Sequence, residues 1–335
     1  MTTIGIVGGG QLGKMMTQEA KKMGFAVIVL DPTPGSPAGQ IADRQIVADF
    51  KDEKAIKKLA REVDILTFEI ELANSQVLED LQKAGVTVHP SPRTLAIIKD
   101  KLAQKRFLQK SSLPVAPFQE VESTADIYNA LKKWGYPLVL KARFDAYDGR
   151  GNALIKNSKD IQPALEKLKN RPLYLEKYAP FAKELALMVA RNTRGEISVF
   201  PLVETIHKNN ICHIVKVPAP VSQKVTRLAQ DLAQKTVTHL KGAGVFGIEM
   251  FYCPLPKKRH RDSYPEHAEG PAEILINEIA PRVHNSGHYS IEASYTSQFE
   301  QHLRAITNLP LGNPNLKVPA AVMINILGKI GRAHV

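Results

Sequence analysis

Two carboxylates stand inside apolar stretches in the second half of the chain. Glu249 lies within Gly247–Phe251 and Glu278 within Leu275–Ile279, and most residues around both are apolar. Burying an unpaired carboxylate is costly, so such side chains normally bind a cation or a metal ion. On strands joined by one connection, this pair is suited to hold Mg²⁺ between itself and phosphate oxygens, because this cation prefers oxygen ligands. Ordinary buried ion pairs are the alternative.

A cation and a glycine-bearing segment precede that pair. Lys141 ends the apolar run Pro137–Leu140, which predicts a strand that points a fixed positive charge into a cleft. Residues 145–152 come next, and Gly149 and Gly151 permit close contact between the backbone and phosphates. These features predict a phosphate site, although a lysine at a strand end is also commonly a solvent-facing residue.

A polar segment follows Glu278 directly. Arg282, His284, Asn285 and Ser286 lie within it and supply several donors for an oxyanion. Turn chemistry alone would also explain such a composition. The position directly after a candidate metal carboxylate favours a catalytic segment.

A different motif stands near the start of the chain. Gly8–Gly13 fits the pattern G-x-G-x-x-G between the apolar run Ile4–Val7 and a helical pattern, and Asp31 follows after about 20 residues. Taken alone, this motif predicts a dinucleotide site and a nicotinamide-dependent oxidoreductase. The glycines would let backbone amides meet an anion at the positive end of a helix. Two alternative interpretations of the motif remain open: a site for another polar ligand, and a tight turn that binds no ligand.

The strands and helices that must position these residues are predicted in two regions of the chain. In the first hundred residues strands alternate with helices, which predicts an α/β fold with a parallel sheet covered on both faces. The strand signals there are Ile4–Val7, Ala26–Leu30, Ile65–Phe68 and Val86–Val88, and the helix signals are Gln11–Met23 and Asn74–Lys83. A basic helix over Thr94–Lys110 then leads into a second region, and the domain seam is predicted near residue 98. The strand signals of the second region are Pro137–Lys141, Leu173–Lys177, Val245–Phe251 and Ile274–Glu278, and its helix signals are Ile161–Lys169 and Gln223–Lys241.

The composition narrows the function classes. The chain has 335 residues, 44% of them apolar and 23% charged, the balance of a soluble globular protein, and no run approaches the length of a membrane span. The net charge is +12, but aromatic residues make up only 6% of the chain. The one dense basic cluster, Lys257–Arg261, is predicted to be a solvated loop. We therefore expect no nucleic-acid partner and no membrane, and the positive field suits anionic small substrates. Two cysteines, Cys212 and Cys253, cannot build a disulfide framework, which predicts a cytoplasmic protein.

Several segments together carry a resemblance. The chain resembles the ATP-grasp family, and within it the carboxyaminoimidazole ribonucleotide synthetase branch, from residue 4 to about 328. The segments that carry it in the second region are Lys141–Asn152, Glu176–Phe181, Lys183–Glu184, Val245–Phe251 and Ile276–His288. Those of the first region include Gly8–Gly13, Asp31–Pro32, Ser36–Ala38, Ala42–Asp43 and Thr67–Glu71, followed by Pro90–Pro92, Asp100–Lys105 and Thr296–Leu303. Arg171–Phe181 and Val203–Cys212 are similar to the fungal form, the front half of a two-part phosphoribosylaminoimidazole carboxylase.

This resemblance implies a mechanism with ATP and Mg²⁺. The implied nucleotide ligands are Lys101 and Lys141 at the phosphates, the loop residues Tyr147, Asp148, Gly149, Arg150, Gly151 and Asn152, the adenine hinge Glu176, Lys177, Tyr178 and Ala179, Glu184 at the ribose, and His207 nearby. Glu249 and Glu278 would bind Mg²⁺ with Asn277 beside them. Arg150, Arg282 and His284 would act in catalysis on bicarbonate-derived oxyanions. The implied neighbours of 5-aminoimidazole ribonucleotide are Gln11, Leu12, Ser36, Glu71, Asn285 and Ser286.

The resemblance also implies a domain order. A Rossmann-like domain over 1–98 would hold the ribonucleotide rather than nicotinamide, and an ATP-grasp domain would span 99–312. Residues 313–335 would begin a small C-terminal domain that is truncated here, and 329–335 also match the translation of a common sequencing adapter, which predicts an artefactual tail. The expected activity is carboxylation of the ribonucleotide in purine synthesis by a homodimer. A mutase domain downstream in the full-length protein is left open, and the nicotinamide oxidoreductase is the alternative.

Overall fold

The structure is a computed structural model, and it describes residues 1–145, 151–208, 210–254 and 272–326. The predicted Tyr147, Asp148, Gly149 and Arg150 therefore lie outside the described residues, as does the tail over 329–335. The basic cluster Lys257–Arg261 lies outside them too.

The first region forms a parallel sheet in the strand order β3-β2-β1-β4-β5. Its elements are β1 Thr3–Val7, α1 Gln11–Lys22, β2 Ala26–Asp31, β3 Arg44–Val47, α2 Glu53–Ala60, β4 Ile65–Phe68, α3 Ser75–Lys83 and β5 Thr87–Val88. The central strands are buried because helices cover both faces, as expected for a parallel sheet. The predicted parallel α/β layout is confirmed, while β3 and α2 were not predicted.

The connection to the second region contains two helices where one was predicted. The helices α4 Pro92–Lys99 and α5 Lys101–Lys110 are separated at Asp100, whose backbone is extended. The Asp100 carboxylate accepts hydrogen bonds from the N–H groups of Leu102 and Ala103, which caps α5. Arg143 grips the same carboxylate, with Nη2 at 2.6 Å from Oδ2 and Nε at 3.1 Å from Oδ1. A contact distant in sequence therefore stabilises the break.

A small antiparallel sheet follows in the order β6-β9-β7-β8. Its elements are β6 Phe118–Val121, α6 Thr124–Trp134, β7 Leu138–Ala142, β8 Asn152–Ile155, α7 Ile161–Lys167 and β9 Leu173–Lys177. Lys141 pairs with Asn152 across β7 and β8, so the predicted glycine-bearing segment connects two antiparallel strands.

The larger sheet has the order β15-β14-β10-β12-β13-β16, with β11 on β10. Its elements, with the helices that accompany them, are β10 Lys183–Arg191, β11 Ile197–Val199, β12 Val203–Lys208, β13 Ile211–Val217, α8 Gln223–Leu240, β14 Gly244–Pro254, β15 Ala272–Ala280, α9 Ser290–Ala293, α10 Gln298–Ile306 and β16 Ala321–Ile324. Single 3₁₀ turns lie at Ser158–Asp160 and Asn285–Gly287. None of the helices in the described ranges is long and apolar enough to cross a membrane.

The two regions share a hydrophobic core. Met16 of α1 belongs to the same buried cluster as Val245 of β14 and Phe299 of α10. Fully buried His302 of α10 adds a polar link, with Nε2 at 3.0 Å from the hydroxyl of Thr67 in β4 and Nδ1 at 3.1 Å from the N–H of Val245. The first sheet and α1 are thereby held against the larger sheet.

Candidate active site

A cavity of about 1120 Å³ lies where the first sheet, the small sheet and the larger sheet meet. Its volume exceeds the range of roughly 300–1,000 Å³ typical of single ligand sites, so it suits more than one substrate. The predicted site residues that line it are Leu12, Glu71, Lys101, Lys141, Gly151, Asn152, Glu176, Lys177, Tyr178, Ala179, Glu184, His207, Glu249, Asn277, Glu278, Arg282, His284 and Asn285. Residues from both regions, distant in sequence, are thus brought to one cleft.

Three predicted substrate residues lie beside the cavity rather than on its lining. Gln11 is exposed at the first turn of α1, and Ser36 and Ser286 are buried. The Ser36 hydroxyl accepts a hydrogen bond from the N–H of Gly39, and the Ser286 hydroxyl lies 2.9 Å from Nδ1 of His284. Direct contact of these side chains with a ligand stays a prediction.

The glycine-rich turn before α1 is occupied by a carboxylate of the protein itself. Glu69, which follows β4, accepts hydrogen bonds from the N–H of Gly10 at 2.8 Å and of Gly13 at 3.1 Å. Asp31 accepts one from the N–H of Gly9 at 2.8 Å. A Cβ at Gly8 would lie 2.6 Å from Cγ of Glu69, so the glycine is needed for this internal contact. The amides that a dinucleotide phosphate would use are therefore taken, although the motif alone predicted an external ligand.

Three lysines form one wall of the cavity. Lys101 and Lys105 lie one turn apart on α5, and Lys141 is the penultimate residue of β7. Lys101 forms an ion pair with Glu278, and Lys141 Nζ lies 2.8 Å from Oε2 of Glu176. Lys105 lies 3.1 Å from the other oxygen of Glu176, and the sequence interpretation assigned it no role. Burial alone would raise the pKa of Glu176, but Lys105 and Lys141 lower it to about 2.

The two predicted metal carboxylates face each other on neighbouring strands. Glu249 of β14 pairs with Glu278 of β15, and the register then shifts so that Met250 pairs with Ile276. Asn277 is the extra residue of this bulge, and a bulge can re-aim side chains. Both Asn277 and Glu278 consequently line the cavity. Burial, and then repulsion from Glu278, raises the pKa of Glu249 to about 7.

An ion pair in the lining of the cavity connects the two regions. Arg282 places Nε 3.0 Å from one oxygen of Glu71 and Nη2 3.2 Å from the other. Burial opposes ionisation of Glu71, but Arg282 and then Lys101 lower its pKa. Nearby, His284 lies with Nε2 at 3.5 Å from Glu249. Burial, followed by repulsion from Arg282, lowers the pKa of His284 to about 3, so its imidazole is neutral at pH 7.

Gln298 holds His284 in place and is a residue that the sequence interpretation missed. Its side chain is fully buried at the start of α10. Its oxygen accepts a hydrogen bond from the His284 N–H at 2.9 Å, and its nitrogen donates to the His284 carbonyl at 2.8 Å. The only available signal was an amide residue directly after the helix-capping Ser297.

The remaining nucleotide candidates lie along β9, β10 and β12. Glu184 forms an ion pair with His207, and this pairing outweighs burial and raises the pKa of His207. In the hinge after β9, the N–H of Lys177 donates to the Pro117 carbonyl at 2.8 Å, and that of Tyr178 donates to the Pro137 carbonyl at 3.2 Å. These two amides hold the hinge, while the Tyr178 side chain borders the cavity.

Comparisons with known proteins agree with this geometry. Residues 106–299 match the ATP-grasp domain, and residues 1–99 match the ribonucleotide synthetase preATP-grasp domain. The crystal structure of an N5-carboxyaminoimidazole ribonucleotide synthetase from Thermotoga maritima has 48% sequence identity and a TM-score of 0.84, and the match covers 99% of this chain and 82% of that one. The chain belongs to the ATP-grasp family of N5-carboxyaminoimidazole ribonucleotide synthetases. The predicted fold, a Rossmann-like region followed by an ATP-grasp domain, is thereby confirmed.

Two further members of this family are informative. A synthase from Aspergillus clavatus, crystallised with ADP and 5-aminoimidazole ribonucleotide, is 38% identical with a TM-score of 0.87, over 98% of this chain and 83% of that one. A phosphoribosylaminoimidazole carboxylase of Ogataea methanolica is 46% identical over 97% of this chain. The chain spans 59% of that carboxylase. The nicotinamide oxidoreductase finds no support among these relatives.

Proposed function

We propose that the protein carboxylates 5-aminoimidazole ribonucleotide to N5-carboxyaminoimidazole ribonucleotide, with ATP and bicarbonate, in de novo purine synthesis. The observation that carries this proposal is the meeting of lysines and paired carboxylates in one cavity. Lys101 and Lys141 supply positive charge for phosphates, and Glu249 and Glu278 supply oxygen ligands for a cation. The names of the relatives favour the same activity, and the ADP and ribonucleotide complex of the Aspergillus clavatus protein gives the substrate classes.

The donor set fits Mg²⁺. Glu249 and Glu278 are opposed across two strands, and the pKa of Glu249 is raised by its partial burial and then by repulsion from Glu278. A divalent cation between them would remove this repulsion, and Asn277 lies beside the pair as a further oxygen donor. When bound, Mg²⁺ supplies neutralisation of the phosphate charge during transfer.

The nucleotide is proposed to lie along the small sheet and β10. Glu176, Lys177, Tyr178 and Ala179 would line the adenine, and Glu184, paired with His207, would accept hydrogen bonds from the ribose hydroxyls. The phosphates would contact Lys101, Lys141, Asn152 and the loop Tyr147, Asp148, Gly149, Arg150 and Gly151. Because the Glu176 side chain is buried between lysines, its share in adenine binding is limited to its backbone.

The chemistry proceeds by positioning and electrostatics. A bicarbonate oxygen attacks the terminal phosphorus of ATP, the bond to ADP breaks, and carboxyphosphate forms. Carboxyphosphate decomposes to CO₂ and phosphate, and the amino nitrogen of the ribonucleotide attacks CO₂ and loses a proton. Arg150, Arg282 and His284 would bind the oxyanions, and neutral His284 can donate from Nε2 while Nδ1 faces the Ser286 hydroxyl.

The ribonucleotide would lie at the edge of the first sheet. Glu71 and Leu12 border the cavity there, and Gln11, Ser36, Asn285 and Ser286 are its other proposed neighbours. We also propose the domain ranges 1–98, 99–312 and 313–335, a homodimeric assembly and a cytoplasmic location. A mutase domain in the full-length protein is left open.

Product analysis tests this function. ADP release should require Mg²⁺, bicarbonate and the ribonucleotide together, and labelled bicarbonate should appear in the carboxylated ribonucleotide. Calorimetric titration should detect binding of Mg·ATP and none of NAD. Binding of NAD without binding of ATP, or ADP release that ignores the ribonucleotide, would overturn the proposal.

A further inference from the structure

Lys105 is a buried cation that the proposed mechanism does not use. It lies on α5 one turn after Lys101, its side chain is 3% exposed, and it borders the cavity. Lysine is rarely buried to this extent unless it is paired. Its ammonium lies 3.1 Å from Oε1 of Glu176 and donates a hydrogen bond to the Ile276 carbonyl at 3.3 Å.

Glu176 is shared between two lysines. Its Oε1 faces Lys105, and its Oε2 accepts from Lys141 at 2.8 Å. The glutamate and Lys105 are both 3% exposed in their side chains, whereas Lys141 is 15% exposed at the cavity. Two cations and one anion leave one net positive charge, and the only one of the three with appreciable access to a ligand is Lys141.

We propose that Lys105 is a positioning residue of the nucleotide site. It contacts one oxygen of Glu176 and balances the negative charge of this carboxylate, so that the positive charge of Lys141 is available to the phosphates of ATP. The inference rests on the proposed function. Without Lys105, Glu176 and Lys141 form an ion pair with no net charge. The Glu176 carboxylate then competes with the phosphates for the Lys141 ammonium. This competition is strong because the carboxylate and the ammonium are largely shielded from water, which would otherwise weaken their attraction.

A purely structural role for Lys105 makes a different prediction. If the lysine only stabilises the fold, its replacement lowers stability, and removal of the Glu176 charge cannot repair ATP binding. If it balances Glu176, the second substitution relieves the competition at Lys141 and restores binding. A double substitution therefore separates the two roles.

The test is calorimetric titration of Mg·ATP into the 335-residue chain and its variants. Lys105→Met removes the charge with little change in shape, and Lys105→Gln is a second charge-free variant that keeps a donor for the Ile276 carbonyl. We expect the Kd for ATP to rise about tenfold in both, the scale of one weakened charge-assisted contact. The matched control is Lys110→Met, which removes an exposed lysine from the end of the same helix and should bind like the wild type.

The double variants Lys105→Met/Glu176→Gln and Lys105→Gln/Glu176→Gln should recover binding to within about threefold of the wild type, less than the tenfold step that 1.4 kcal/mol represents. Urea unfolding of each variant identifies any that do not fold. Wild-type affinity in the single variants, or double variants as weak as the single ones, would overturn the inference. A wild-type chain that binds no ATP would instead refute the proposed function, and the inference with it.

Discussion

His302 should make the stability of this protein depend on pH between neutrality and moderate acid. The imidazole is fully buried where β4, β14 and α10 meet. The Val245 N–H donates to Nδ1, so the proton of the neutral ring is on Nε2, which donates to Thr67. A second proton, at Nδ1, would face the Val245 N–H, which is itself a donor, in a fully buried site. Burial, with a smaller contribution from His89, accordingly lowers the pKa of His302 from 6.5 to about 3.

The sign and size follow from proton linkage. Between the two pKa values the unfolded chain binds a proton that the folded chain does not, so folding is favoured less as the pH falls below about 6.5. The contribution is fully present above that pH and is lost progressively toward pH 3. One pKa unit corresponds to about 1.36 kcal/mol, so the loss between pH 7 and pH 5 is about 2 kcal/mol.

The assay is urea unfolding of wild type and His302→Gln at pH 7 and pH 5. The variant should be less stable at pH 7, because a buried hydrogen bond to Thr67 or Val245 is lost, but its own pH dependence should be smaller by about 2 kcal/mol. Half-buried His284 and His288 remain in both proteins, so their contributions cancel in the difference. His239→Gln, on the exposed face of α8, is the matched control. Equal pH dependence in wild type and His302→Gln would refute the reasoning.

Three further substitutions test the site. Glu278→Gln removes one ligand of the proposed metal pair with little change in shape, and Mg²⁺-dependent ADP release should fall by roughly 100-fold, the scale of losing key electrostatic stabilisation; the exposed Glu292→Gln on α9 is its control, and normal turnover with normal Mg²⁺ dependence would make Glu278 structural. Glu69→Ala removes the acceptor of the Gly10 and Gly13 amides, and urea unfolding should register a loss of about 1–2 kcal/mol, typical of a lost helix cap; unchanged stability would contradict the role of this internal acceptor. Gln298→Met leaves the N–H and carbonyl of His284 unpaired, and kcat/KM for bicarbonate should fall by about tenfold or more, the effect of misplacing one oxyanion donor. A drop in unfolding free energy with normal kinetics would show that Gln298 supports the fold and not His284.

Some of this architecture is determined by local sequence. The apolar runs Ile4–Val7 and Ala26–Leu30 end close to Gly8 and Pro32, and strands form where these runs predict them. The strands around Glu249 and Glu278 also form where their apolar runs predict them, because a short run of hydrophobic residues is a property of the local sequence. The short strand β3 is half-exposed and lacks this signal. Helix α2 has apolar residues at helical spacing, Ala55, Ile56, Leu59 and Ala60, after the capping residue Asp52, and the prediction missed this local pattern.

Only the tertiary structure decided which partner each buried polar or charged group has. The sequence presented Gly8–Gly13 as an anion site, but only the folded chain brings Glu69 onto its amides. Likewise, the break at Asp100 needs Arg143 from the end of β7, and the burial of Lys105 needs Glu176 from β9. In every case the partner is a charged side chain tens of residues away. A local pattern can state that an amide or a carboxylate must be satisfied, but which group satisfies it follows from the packing of strands and helices that meet only in three dimensions.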